Sequence, residues 1–596
     1  MLTELKNEWK KAIEEELKSY LKCDSIPALA IGVPPKSEMG DAAFPLFPYA
    51  KAAGKAPALI AKDIMASLAA KQHPAGEMLL AGPYLNIRFD IPSLAGKIIE
   101  DAISSSDNYG RTEDLSGKKI MVEFSCPNTN KPLHLGHMRN DSLGESVSEL
   151  LKAAGADVMK VNLINNRGVH ICKSMLAYKL FGNGETPEST GEKGDHFVGR
   201  YYVRFAQWEK EVSQAKEADP SIVSDPSFID PDQEAQKMLR LWEAGDAETR
   251  SLWEKMNKWT LDGLAESYKN MGISFDKLYY ESETYKLGRS EVMKGLEMGV
   301  FKKEEDGSVQ VDLSPIGLDK KVLLRRDGTT LYMTQDIGTA VKRHEDWPFD
   351  SLIYVVASEQ NYHFKVLFYV LGLLGYKWAE ELHHLSYGMV NLPDGKMKSR
   401  EGTVVDADDL LSELTVLARS EIEAKGREEA VGNVDDTARK IALGALNYYL
   451  LQVQPQHDMV FDSKKSISFN GNTGPYLQYT CARISSILRR YEEDKESYDC
   501  SFDASQLTLE DEKILLKAIE SFPDTVRKAA LSYDPSIIAS YLYENAKTFS
   551  HYYHDNQILK AETKELSLAR IRLISALRVV MKNGFALIGV PYLESM

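Results

Sequence analysis

A chain of 596 residues exceeds what one hydrophobic core supports, and at roughly 100–200 residues per domain it predicts three or four. Hydrophobic residues at 43% and charged residues at 27% exclude a disordered or fibrous chain, and no apolar run approaches the roughly 20 residues of a membrane span. The formal charge of −16 argues against nonspecific phosphate binding, so any nucleic-acid contact must draw on local patches. Candidates are Lys51, Lys55 and Lys62, or Arg483, Arg489 and Arg490, or Arg570, Arg572 and Arg578.

The segment Leu2 to about Leu68 reads as helices interrupted at Pro34-Pro35 and Gly40-Asp41. Met78 to Phe89 follows as strand and turn, which together predict a small α+β domain over 1–115. After the polar stretch Ser104 to Gly117 comes an apolar strand, Ile120 to Phe124. An amphipathic helix from about Gly136 to Ala154 and a second strand, Val158 to Ile164, complete a βαβ unit. Such units imply a parallel sheet whose ligands bind beyond the carboxyl ends of its strands.

Residues of about 182–261, with glycine and glutamate clusters, prolines and tryptophan-bearing helices, read as an insertion. Strand signals at Val309 to Leu313, Val322 to Leu324, Leu352 to Val356 and Leu385 to Val390 complete an α/β domain over 116–460. After about residue 407 helical periodicity dominates, predicting an all-helical region over 461–596. Five cysteines without a Cys-x-x-Cys pair argue against a zinc cluster or disulfide framework, and the first 22 residues lack a secretion signal. A soluble cytoplasmic protein away from membranes is expected, with no metal ligands of its own.

The richest motif lies between the first strand and its helix: Ser125-Cys126-Pro127-Asn128-Thr129-Asn130-Lys131-Pro132-Leu133-His134-Leu135-Gly136-His137. A helix N-terminus offers unpaired N–H groups, Gly136 permits close approach of a nucleotide, and two imidazoles can donate to a developing pentacovalent phosphate. Far downstream, Lys396-Met397-Lys398-Ser399-Arg400 forms a cation-rich, glycine-flanked loop suited to a departing pyrophosphate.

These strings resemble the two signatures of class I aminoacyl-tRNA synthetases, and the longer string around His134 looks like the arginyl enzymes in particular. The resemblance implies a Rossmann-like catalytic domain, an N-terminal additional domain contacting the tRNA elbow, and a helical anticodon-binding domain. It implies ATP-dependent activation of L-arginine, generally dependent on bound tRNA, then transfer to the 3′-terminal adenosine of tRNA(Arg). ATP is expected as its Mg2+ complex, with no zinc or organic cofactor, and a monomer is expected. His134, Gly136, His137, Met397 and Ser399 would bind ATP, and His134, His137, Lys131, Lys396 and Lys398 would carry catalysis. Ser399 stands where the family's second lysine stands, so Lys398 or Lys131 would supply that charge.

Arginine specificity requires carboxylates for a planar guanidinium. Tyr332 and Asp336, four apart on one predicted helix face, resemble the family's tyrosine and aspartate that hold the substrate side chain. Glu281, Gln360 and Asn128 match further arginine-binding positions, while Asn166-Arg167-Gly168-Val169-His170 departs from the commoner Asp-Trp-Gly-Thr-Gln pattern. Tyr84 and Asn86, with Tyr476, Gln478 and Arg483 at the opening of the helical region, are the expected tRNA contacts. The rival readings are a small-molecule nucleotidyltransferase or other class I synthetase, and a noncatalytic RNA-binding relative.

Overall fold

The computed structural model describes residues 1–224, 228–393 and 405–596, and their contacts group into two units. The first comprises Met1–Gly110, Ile484–Asp524 and Glu544–Met581. The second comprises Arg111–Arg483, Thr525–Tyr543 and Lys582–Met596, so residues of the helical C-terminal region belong to both. Among the described residues no helix is long and apolar enough to cross a membrane.

In the first unit, α1 (Leu2–Leu21) buries Trp9, Ile13 and Leu17, a helical i, i+4, i+8 stripe. The Trp9 indole donates to the Ala75 carbonyl at 2.9 Å. An antiparallel sheet holds β1 (Ala42–Pro45), α2 is Pro57–Ala69, and β2 (Glu77–Ala81) and β3 (Tyr84–Arg88) form a hairpin, with β3 central. Gly40 is required before β1: its φ is +104° and a Cβ there would meet the Ile87 carbonyl oxygen at 2.8 Å. The helix α3 (Ile91–Ser105) and strand β1 were not among the predicted elements. A buried ion pair, Glu512 with Arg570 at 2.9 Å, also accepts the Tyr552 hydroxyl at 3.0 Å.

The second unit is built on β4 (Lys119–Glu123), α4 (Leu135–Ala153) and β5 (Asp157–Ile164), the predicted βαβ unit. Then come α5 (Val169–Phe181), α6 (Gly194–Ala218), α7 (Pro231–Ala244) and α8 (Ala247–Met271). These pack a core of their own around Met175, Phe197, Tyr201, Phe205 and Trp259. The chain returns to the sheet at β6 (Lys277–Tyr280) and continues through α9 (Gly288–Glu297). A small antiparallel sheet of β7 (Lys302–Lys303), β8 (Val309–Val311) and β9 (Lys321–Leu324) precedes α10 (Tyr332–Asp346). Next are β10 (Ser351–Ala357), α11 (Asn361–Leu373) and β11 (Leu382–Tyr387).

Among the described residues the main sheet has the order β11-β10-β4-β5-β6 and is parallel throughout. The strand order reverses between β4 and β10, which opens a crevice at the carboxyl end of β4. Two expectations change here. The strands at Val309 and Val322 lie in the small antiparallel sheet, and β6 supplies the edge strand instead. The predicted strand Leu385 to Val390 divides into β11 and a short β12 (Val390–Asn391), which pairs with β13 (Met459–Val460). The C-terminal helices are α12 (Ala407–Ala424), α13 (Val434–Leu451), α14 (Gly474–Glu493), α15 (Glu510–Ser532), α16 (Ser536–Asp555) and α17 (Lys564–Leu587).

Candidate active site

Strand β4 ends against an ion pair wholly inside the protein, Glu123 with Arg343 of α10. Burial raises the Glu123 carboxyl and the Arg343 charge opposes it. The chain then turns through two consecutive non-glycine residues in the left-handed region, Ser125 at φ +75° and Cys126 at φ +50°. Such residues cost about 1–3 kcal/mol each unless the surroundings over-determine them. Here they do: Ser125 N–H donates to Asn140 Oδ1 at 2.5 Å, and Cys126 N–H to Asn162 Oδ1 at 3.0 Å. Asp141, one turn beyond His137 on α4, is buried and has no hydrogen-bond partner among the described residues. Burial pushes its carboxyl up to about 8.

His134 is the N-cap of α4, accepting the Gly136 N–H on Nδ1 at 3.1 Å, while its own N–H donates to His137 Nδ1 at 3.1 Å. The two rings lie 3.9 Å apart. Because each Nδ1 accepts from the backbone, each ring carries its proton on Nε2, and both Nε2–H groups are donors left over for a ligand. Burial lowers His134 to about 4 and His137 well below the ordinary range, with the Lys131 charge adding to both. Both rings are therefore neutral donors at pH 7, and burial also lowers the Lys131 ammonium. Gly136 is needed for this geometry, since a Cβ would meet His134 Cε1 at 2.9 Å.

The turn is stitched to the chain that emerges from the lysine-rich loop. Leu135 N–H donates to the Val405 carbonyl at 3.0 Å and Ala407 N–H to the Leu133 carbonyl at 3.1 Å, pairing His134 with Asp406. Lys396, Met397, Lys398 and Ser399 themselves lie outside the described residues. Asp406 caps α12, accepting from Asp408 N–H and Asp409 N–H. Asp195, His196 and Asp408 place ligand-type atoms within 4.8 Å of one another. The charge among them is nevertheless supplied by the chain, with Lys193 Nζ 2.6 Å from Asp408, 3.0 Å from Asp195 and 2.5 Å from Ser267 Oγ. Burial alone would raise Asp408, but the bonds from His196 and Lys193 outweigh it and hold the carboxyl at about 2.

A cleft of about 980 Å³ reaches Asn128 in the connection from β4 to α4, and Asn128, Glu281 and Tyr332 line it together. Tyr332 and Asp336 open α10 as the four-residue spacing predicts, Tyr332 being 75% exposed. Asp336 and Gln360 are not among the residues lining this cleft. Asp336 faces α11, where His363 Nε2 is 2.6 Å from its Oδ2, and Gln360 is exposed in the turn before α11. Burial raises the Glu281 carboxyl to about 7. Sequence reasoning missed Lys193, Asp408, His363 and Arg167; the last sits 3.9 Å from Glu281, and the departure at Asn166-Arg167 was its only signal.

The expected RNA contacts divide by burial. Tyr84 is exposed and edge-on to the exposed Phe47, and Tyr476 and Arg483 are half-buried, Arg483 lying over the Tyr479 ring at 4.8 Å. Asn86 and Gln478 lie inside the protein. Asn86 is buried and donates to the Met39 carbonyl, while Gln478 is fully buried and donates to the carbonyls of Lys440 and Pro591. In both amides the nitrogen is held by the backbone, while the buried carbonyl oxygen has no hydrogen-bond partner among the described residues. The basic patch at Arg570 also recedes, because Arg570 is buried against Glu512 and Arg572 pairs with Glu100.

Three family models match the chain. The class I (R) tRNA synthetase catalytic domain matches residues 99–463, the DALR anticodon binding domain 477–596, and the arginyl tRNA synthetase N-terminal domain 7–89. An arginine–tRNA ligase from Treponema denticola is 54% identical over 605 residues, covering 100% of both chains. One from Bacteroides thetaiotaomicron is 46% identical, covering 91% of this chain and 92% of its own. Among solved structures, the Thermus thermophilus arginyl-tRNA synthetase superposes with a TM-score of 0.79 at 26% identity, covering 98% of this chain and 100% of that one.

Proposed function

Because the chain belongs to the arginyl-tRNA synthetase family, we propose that the histidine turn receives ATP, the cleft that reaches Asn128 arginine, and the N-terminal and C-terminal regions the transfer RNA. The reaction is the ATP-dependent ligation of arginine to tRNA(Arg). The arginine carboxylate attacks the α-phosphorus and releases pyrophosphate, and the 2′-hydroxyl of the terminal adenosine then attacks the adenylate carbonyl, losing its proton and expelling AMP. No enzyme nucleophile is needed, so the residues position groups and stabilise charge.

The observation that carries the phosphate assignment is the backbone bond to each Nδ1, which leaves the Nε2–H groups of His134 and His137 as two fixed neutral donors at a helix N-terminus. Gly136 admits the nucleotide beside them. Lys131, and Lys396 and Lys398 with Met397 and Ser399 in the following loop, supply charge and contacts to the departing pyrophosphate. ATP enters as its magnesium complex, the ion held by the nucleotide's own phosphates. In the cleft Glu281 and Tyr332 meet the substrate guanidinium with Asp336 alongside, and Asn128 in the cleft and Gln360 from the turn before α11 hold its amino and carboxylate groups. Tyr84, Tyr476 and Arg483 contact tRNA, with 1–115 as elbow-binding domain, 116–460 as catalytic domain and 461–596 as anticodon-binding domain. The protein works as a monomer in the cytoplasm, the compartment supported by five free cysteines.

Exchange of labelled pyrophosphate into ATP, run with each amino acid and with or without total tRNA, tests this reading. Arginine-specific exchange that requires tRNA is expected, and tight tRNA binding without exchange would overturn it.

A further inference from the structure

The cleft proposed for the arginine substrate already contains a guanidinium of the chain's own. Arg167, in the turn between β5 and α5, is 10% exposed and lies over the Tyr285 ring at 4.0 Å. Its Nη2 is 2.6 Å from Glu243 of α7, a close charge-assisted bond, whereas its Nη1 is 3.9 Å from Glu281. The second distance is too long for a hydrogen bond but short for a charge at a site only 14% exposed. Among the described residues no hydrogen bond to the Glu281 carboxylate is present, so both of its oxygens keep their acceptor capacity.

We propose that Arg167 is a positioning residue for the amino-acid substrate: pinned by Glu243 and Tyr285, it supports the charge of Glu281 without occupying the oxygens that a bidentate arginine guanidinium needs. This rests on Glu281 being the guanidinium receptor. The division of distances is what makes the support useful. A direct Arg167–Glu281 bond would compete with the substrate, and an empty position would leave a buried carboxylate unsupported.

Electrostatics agree with the geometry. Burial is the main cause that raises Glu281 to about 7, Arg167 opposes it, and Asp336 of α10 adds to the rise. The other charged or titratable groups facing this space are His170 of α5, Glu243 of α7, Tyr285 and Lys286 between β6 and α9, Arg289 of α9, Arg325 after β9 and Tyr332 of α10. Arg167 is the cation resolved as acting on Glu281, so its loss favours the protonated form, which cannot accept a bidentate guanidinium.

The test measures the arginine KM in tRNA-dependent pyrophosphate exchange across the acid-to-neutral range for the full chain and for Arg167→Gln, Arg167→Lys, Glu281→Gln and the double variant Arg167→Gln/Glu281→Gln. Arg167→Gln is expected to raise the arginine KM about tenfold near neutrality and to move the pH at which KM climbs on acidification upward by about one unit. Arg167→Lys keeps the charge and restores that pH in part, and the ATP KM stays as in the parent, which reports intact folding. The double variant adds little to Glu281→Gln. A raised KM whose pH dependence has not moved would overturn the proposal and leave Arg167 a merely structural residue. An unchanged arginine KM in Glu281→Gln would instead show that the receptor assignment had failed, and the role of Arg167 with it.

Discussion

Leu135, the first residue of the helix that carries His137, donates its main-chain N–H to the carbonyl of Val405 at 3.0 Å. The histidine turn and the described chain at Val405, far apart in sequence, therefore share a backbone hydrogen bond, and Lys193 fixes the far side of the joint through Asp408 and Asp195.

Lys193→Met removes the cation between two carboxylates, one of them fully buried. Breaking such a pair from one side costs about 3–5 kcal/mol. Urea unfolding is expected to show that loss, and adenylate formation to slow while the arginine KM stays near its parent value. Unchanged stability would show that Asp195 and Asp408 find another partner.

The two imidazoles give a signed pH dependence. Their pKa values are depressed in the folded chain, so the unfolded chain takes up protons first. Folded stability is expected to hold above about pH 6.5 and to fall as pH drops from there toward about 4. Adenylate formation should show no histidine limb near neutrality. A limb near the ordinary histidine value in the parent chain, lost in His137→Asn, would sink the neutral-donor assignment.

Gly136→Ala separates activity from stability. Alanine is favoured over glycine inside a helix by about 1 kcal/mol, so melting should be little changed. The new methyl group meets the His134 ring at 2.9 Å and displaces it. Displacements of that kind cost up to about 100-fold in rate, to be read from pyrophosphate exchange at saturating arginine.

Asp336→Asn removes one carboxylate charge beside the cleft while leaving an oxygen for His363. The arginine KM is expected to rise about 10–100-fold, the equivalent of one charged hydrogen bond, with little change in the ATP KM. Steady-state titration of arginine at saturating ATP and tRNA measures both, and an unaltered arginine KM would remove Asp336 from the guanidinium site.

Much of the catalytic unit was legible because its signals are local. The apolar run at Ile120, the helix ending at Gly155 and the strand at Val158 each declare themselves by composition and period. The sheet to which a short strand belongs is not local information. Val309 and Val322 look like sheet strands wherever they pair, and β6, four residues emerging from a long helical insertion, offers too little pattern to read. The same limit applies to side chains. The sequence shows His134 and His137 together because they are three apart, but Arg167 meets Tyr285, Glu243 and Glu281 only after folding. Gln478 reads as an exposed amide beside aromatics, and only the packing of α14 shows it turned inward to the carbonyls of Lys440 and Pro591.

Asp141 offers an optical consequence of the same packing. A carboxyl whose pKa burial has pushed up to about 8 remains protonated at neutral pH, and a protonated carboxyl has a carbonyl stretch well separated from the bands of ionised carboxylates. One helical turn from His137, beneath the turn of Ser125 and Cys126, this group is a native vibrational label. Difference infrared spectra recorded as ATP binds, assigned with Asp141→Asn, would read changes at the floor of the phosphate site without any attached probe.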